Sequence, residues 1–171
     1  MFRPNRCQIC GETYLGTQKP DRCPFCGADQ RHIVMATEWV DHGKVDLSEQ
    51  SYKDCERSVE LELDNMAFYK CAAAKTKDQI MESFFKRLSK HEGEHAELLA
   101  EMMGIEEPDP PEVSCSDDDR ENMAEAHRRE KRAILLYQAI ANRAPEPRMQ
   151  EVFRALTDIE SEHLIVSSTY R

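Results

Sequence analysis

The 171-residue sequence predicts a mainly α protein, a four-helix bundle preceded by a small cysteine-rich metal module. Three observations carry that reading. First, an offset of 68 residues lays the chain on itself, placing Glu62 on Glu130, Tyr69 on Tyr137, Glu92 on Glu160 and His95 on His163. Apolar positions follow the same offset, with Ala73 on Ala141, Met81 on Met149, Phe85 on Phe153 and Leu88 on Leu156. Second, two Cys-x-x-Cys hooks, Cys7 with Cys10 and Cys23 with Cys26, stand ahead of the repeat. Third, Pro108, Pro110 and Pro111 interrupt the chain between its two halves and exclude continuous helix there.

Residues 1–35 form the first unit, poor in helical periodicity and rich in Cys, Gly and Pro. Its two hooks bring four thiolates to one tetrahedral ion, and such a sulfur set suits iron or zinc. The glycine after each second cysteine, Gly11 and Gly27, allows a tight turn whose amides can face sulfur. Residues 36–47 are a connector, and 48–171 are the bundle.

The first helix starts at Ser48, with Ser51 as a competing cap, and runs to about Ala74. Val59, Glu62, Met66, Tyr69 and Ala73 recur on one face. The second runs from about Lys77 to Met103, with Phe85, Leu88, Glu92, His95 and Leu99 on one stripe and Gly104 as its stop. Extended chain over 104–117 reaches at most about 46–50 Å, whereas a helix of about 27 residues is about 40 Å long. That segment can therefore cross the whole bundle. Asp117, Asp118 and Asp119 supply a cap and favourable charge for the third helix, which ends near Asn142. Pro145 and Pro147 mark the turn into the fourth, which runs to about Thr169. Two helical hairpins joined by one long crossover are the ferritin-like arrangement.

Glu and His spaced i, i+3 share a helix face. Alone, a Glu-x-x-His is usually a solvated surface pair. Here two copies lie on apolar stripes, each with a matched Glu on the preceding helix. Uncompensated carboxylates in a core are costly. Glu62, Glu92, His95, Glu130, Glu160 and His163 therefore read as the ligands of two metal ions, whose charge balances four ionised carboxylates. Tyr69 and Tyr137 are either hydrogen-bond donors to those carboxylates or core aromatics whose hydroxyls need some partner.

Composition sets outer limits. Hydrophobic residues make up 40% and charged residues 33%, and the net charge is −10 with no basic patch, which argues against nucleic acid. No apolar run approaches the ~20 residues of a membrane span, and no signal-like stretch precedes Cys7. The expected location is the cytoplasm, where seven cysteines should be thiols or metal ligands. Cys55 and Cys71 read as small core residues and Cys115 as incidental.

These residues resemble the rubrerythrins over nearly the whole chain. The first 35 residues look like a rubredoxin-type module, with Tyr14 after the first hook and Pro24 inside the second. The remainder looks like the ferritin-like di-iron domain. The module leads, as in members of reverse order. The resemblance implies iron in the cysteine site, with zinc the alternative, and two irons in the bundle. It implies reduction of hydrogen peroxide to water, with electrons passed from an external reductase through the cysteine-bound iron. It also implies a homodimer, since the exchanging centres in the family usually belong to different subunits. Peroxidase-type members carry a further Glu three residues beyond the third-helix ligand. Ala133 stands there instead. His127 lies on the face toward the site but reads as a surface residue. The alternatives are a ferroxidase or iron-handling protein, a dioxygen-reducing oxidase, and a zinc ribbon fused to a partner-binding bundle.

Overall fold

The computed structural model describes residues 1–170. The amino-terminal module is a three-stranded antiparallel sheet of β1 (Arg3–Cys7), β2 (Thr13–Gly16) and β3 (Ile33–Met35), in the order β2-β1-β3. A 3₁₀ turn at Gln30–His32 leads into β3. Cys7 ends β1, and the other three cysteines lie in the turns that follow β1 and β2. The bundle follows as α1 (Glu49–Lys75), α2 (Gln79–Met103), α3 (Asp119–Arg143) and α4 (Pro147–Tyr170).

The helix ends show why the sequence divides where it does. Ser48 caps α1, its hydroxyl accepting from the Ser51 amide at 3.2 Å. Ser51, the competing cap, lies inside the helix, and its hydroxyl donates to Glu146 at 2.6 Å. Asp78 caps α2 through the amides of Ile80 and Met81, and Asp118 caps α3 through Arg120. These acceptors satisfy amides that have no partner within the first turn. Gly104 ends α2 with φ +69°, a left-handed value that a side chain resists. Pro147 opens α4, where its missing N–H costs nothing.

Cross-chain contacts fix the directions. The Val45 amide donates to the Met102 carbonyl at 2.9 Å, so the approach to α1 lies beside the end of α2. The Thr76 hydroxyl donates to Asp119 at 2.7 Å, placing the end of α1 beside the start of α3. Arg143 pairs with Asp54, joining the end of α3 to the start of α1. The crossover therefore does run the length of the bundle. Its hairpins, α1 with α2 and α3 with α4, close a core in which Phe85, Tyr69, Tyr137, Phe153 and Leu156 are fully buried.

Two expectations about side chains are corrected. Cys71 and Cys115 are joined by a disulfide with a Cα–Cα separation of 5.9 Å, so they are neither a core thiol nor an incidental one. The bond ties α1 to the crossover, where Lys75 also donates to the Cys115 carbonyl at 2.9 Å. His127 is buried, with 8% exposure, not on the surface. Its Nδ1 lies 3.3 Å from the hydroxyls of Ser167 and Ser168, so the amphipathic stripe of α3 is wider than its ligand positions suggest. Cys55 is buried as expected, and burial pushes its thiol up to about 12.

The bridge closes a loop across a sequence separation of 44. On loop-entropy grounds it stabilises the fold by about 4 kcal/mol. Denaturant titration of the oxidised protein, the reduced protein and the Cys71→Ala variant checks this. The last two should unfold together, at lower denaturant than the first. Coincidence of all three curves would show that the bridge constrains nothing.

Candidate metal centres

Each hairpin delivers a matched set of side chains to the middle of the bundle. α1 and α3 contribute Glu62 and Glu130. α2 and α4 contribute Glu92 with His95 and Glu160 with His163. The six assemble into two overlapping groups, Glu62, Glu92, His95 and Glu160, and Glu92, Glu130, Glu160 and His163, each with ligand atoms within 4.8 Å of one another. Glu92 and Glu160 belong to both groups, while Glu62 and Glu130 belong to one each. His95 Nδ1 lies 3.3–3.6 Å from oxygens of Glu62, Glu92 and Glu160. His163 Nδ1 lies 3.1–3.8 Å from Glu92, Glu130 and Glu160.

The chemistry of the set fits two divalent cations. Glu62 Oε2, both oxygens of Glu92, His95 Nδ1, Glu130 Oε2 and Glu160 Oε1 are sealed from solvent without a hydrogen-bond partner. Such orphaned atoms converging on one point are a strong departure from ordinary cores. A carboxylate–imidazole set of this kind suits iron among other transition metals. Ala133 is buried and adds no ligand, so the set stops at six.

Tyr69 and Tyr137 act across the repeat. Tyr69 donates to Glu130, and Tyr137 donates to Glu62, so each hairpin's tyrosine holds the other hairpin's terminal carboxylate. Burial pushes both phenols well above their ordinary range and keeps them as donors.

Without ions, protons neutralise the cluster. Burial, then repulsion from Glu92 and from Glu160 respectively, hold Glu62 and Glu130 well above the carboxylate range. Burial also opposes charge on His95 and His163. Hydrogen bonds to the ionised Glu92 and Glu160 outweigh it, and both imidazoles are held protonated. Burial works against charge on Glu92 and Glu160 as well, yet hydrogen bonds and the imidazolium charges keep them ionised.

The four cysteines of the module converge as well. Cys7 and Cys26 sulfurs lie 3.8 Å apart, as do those of Cys10 and Cys23. Hydrogen bonds, first from Cys10 in each case, lower Cys7 and Cys23 and so favour thiolates there. The Gly11 and Gly27 amides donate to the carbonyls of Cys7 and Cys23 at 2.9 Å, so it is the hook carbonyls, not the sulfurs, that these amides satisfy.

The module is fastened to the bundle at the metal site itself. His95 Nε2 lies 2.9 Å from the Cys26 carbonyl. Arg87 donates to the Pro24 carbonyl at 2.7 Å and Arg148 to that of Ile9 at 3.0 Å. Gly27, at φ +84°, fits where a Cβ would stand 3.2 Å from Ile159 and 3.3 Å from the His91 ring. His91 is the site residue that sequence reasoning missed. Its Nδ1 lies 3.0 Å from His163 Nε2. The available clue was its place four residues before His95, on the same face of α2. Burial drives its imidazole down to about 3. A cavity of about 370 Å³ opens beside it, with walls from Phe84, Leu88, Ile159 and Val166. His163 also lines this cavity and is the one ligand of the pair site with measurable exposure, 5%.

Fold and ligands define a class, a ferritin-like carboxylate bundle carrying a rubredoxin-like four-cysteine module. The family model described as the rubredoxin-like domain of rubrerythrin matches residues 6–33. Reverse rubrerythrin-1 of Clostridium acetobutylicum is 28% identical over 112 residues, which are 58% of this chain and 61% of that relative. A crystal structure of ferritin from the green alga Ulva pertusa superposes with a TM-score of 0.59 at 18% identity, over 75% of this chain and 76% of that one. The chain is thus similar to the rubrerythrins, with its cysteine module leading the bundle, and it spans less than two thirds of that curated relative's length.

Uptake of two divalent ions must displace protons from Glu62, Glu130, His95 and His163. Titration of weakly buffered protein should release protons as the pair fills, and affinity should weaken as pH falls. Loading with no proton release and pH-independent affinity would contradict this charge state.

Proposed function

We propose that the protein is a di-iron oxidoreductase that reduces hydrogen peroxide to water, with electrons entering through iron on Cys7, Cys10, Cys23 and Cys26. The observation that carries this reading is the contact of 2.9 Å between His95 Nε2 and the Cys26 carbonyl. With Nδ1 turned to an ion, the imidazole proton sits on Nε2 and is donated to that carbonyl. One side chain then touches both centres, from the backbone of one cysteine ligand to the pair site. A protein that only stores or oxidises Fe(II) has no use for such a link.

Reducing one peroxide to two waters consumes two electrons and two protons. Iron ions supply the redox chemistry when bound. The protein's part is to hold them and exclude side reactions. Glu92 and Glu160 would be shared between the two ions, and Glu62 and Glu130 would hold one each, steadied by Tyr137 and Tyr69. Five of the six ligands are closed to solvent, which limits approach to the His163 side.

Ala133 favours a second reading. The carboxylate that peroxidase-type relatives place there is missing, which suits dioxygen or Fe(II) as the substrate equally well. A homodimer in the cytoplasm, served by an external reductase, is part of the first proposal. Because one chain brings both of its centres together, the relay itself needs no partner subunit. No helix of the described residues is long and apolar enough to cross a membrane.

Stopped-flow absorption on the iron-loaded, fully reduced protein separates the readings. Rapid return of the ferric-thiolate colour on mixing with hydrogen peroxide, faster than with dioxygen, is the expected result. Faster return with dioxygen would identify an oxidase. Slow return with both would overturn the reductase reading and leave Fe(II) oxidation.

A further inference from the structure

Two imidazoles complete the paired site, and different partners hold them from behind. His95 Nε2 meets the Cys26 carbonyl. His163 Nε2 meets the Nδ1 of His91 at 3.0 Å. The internal repeat does not account for the difference. The position equivalent to His91 in the second half is Ile159, which has no polar side-chain atom. His91 is an asymmetric addition to a symmetric site.

We infer that His91 is a positioning residue for the ion held by His163. A metal-bound imidazole commonly passes its remaining N–H to a fixed acceptor, which sets the ring's orientation and raises its basicity. His163 turns Nδ1 toward Glu92, Glu130 and Glu160. Its proton then sits on Nε2 and points at His91. His91 accepts through the Nδ1 lone pair and carries its own proton on Nε2. The two rings lie nearly parallel, 19° apart, with centroids separated by 5.3 Å.

His91 is itself held. Gly27 of the second cysteine hook closes against its ring, leaving space that a Cβ would fill to 3.3 Å. Both ligand imidazoles are thus tied to the same hook. His95 is tied directly, through the Cys26 carbonyl. His163 is tied through His91, wedged against Gly27. Seating the module therefore sets both ends of the pair site, and this assignment rests on the two-ion reading above.

The test compares His91→Leu and His91→Asn with the parent, as full-length protein loaded anaerobically with Fe(II). Leucine fills the space without an acceptor, whereas asparagine can offer its side-chain oxygen. In the leucine variant one of the two ions should bind about 10–100-fold more weakly. The other ion and the ferric-thiolate colour of the module should be unchanged. In proton NMR of the diferrous protein, one of the two exchangeable imidazole N–H resonances should move, and asparagine should restore it. A helical leucine variant with both affinities and both resonances as in the parent would overturn the inference and leave the proposed function standing. A parent that binds no ion pair would overturn both. Should the leucine variant lose helicity, His91→Ala decides: weakening of one ion alone with one N–H resonance moved supports the role, and parent-like affinities and resonances overturn it.

Discussion

Four carboxylates without access to water must be neutralised, and that requirement organises the bundle. Each of Glu62, Glu92, Glu130 and Glu160 is fully buried, and together they keep several oxygens without a hydrogen-bond partner. Such a cluster can exist only where protons or cations balance it and where surrounding groups hold it in place. The crossed tyrosine bonds meet the second need. Since Tyr69 holds Glu130 and Tyr137 holds Glu62, neither hairpin can complete its own half of the site. The bundle's closure and the site's assembly are one event.

Beside that symmetry, the module introduces direction. It sits against the His95 end through a backbone carbonyl and against the His163 end through an intervening ring. The cavity opens at the second end. A duplicated site thereby acquires two unlike ends, one against a hook carbonyl and one beside the cavity. Fastening by Arg87 and Arg148 to carbonyls of the hooks keeps that orientation without touching a cysteine sulfur.

The bundle and the paired ligands are legible in the sequence because a repeat states them twice. A single Glu-x-x-His carries little information, but two at one offset, with matched glutamates and tyrosines, locate a common centre. The hooks are legible by spacing. The docking of module on bundle is not, because its acceptors are the carbonyls of Ile9, Pro24 and Cys26, and a main-chain oxygen leaves no trace in residue identity. His91 breaks the repeat, so the reasoning that finds its neighbours passes over it. His127 misleads for the opposite reason, as a polar residue on a polar helix that happens to face Ser167. The Cys71–Cys115 bond joins residues with no local motif, and an odd cysteine count conceals one true pair.

That bond has a topological consequence. Two hairpins that complete each other, linked by a strap as long as the bundle, form a natural arrangement for exchange between copies, in which each chain lends its second hairpin to its neighbour. Exchange would carry the start of α3 away from the end of its own α1. Cys71 and Cys115 lie at those two places. In the oxidised chain the bond holds the end of the strap to α1 and so opposes that exchange.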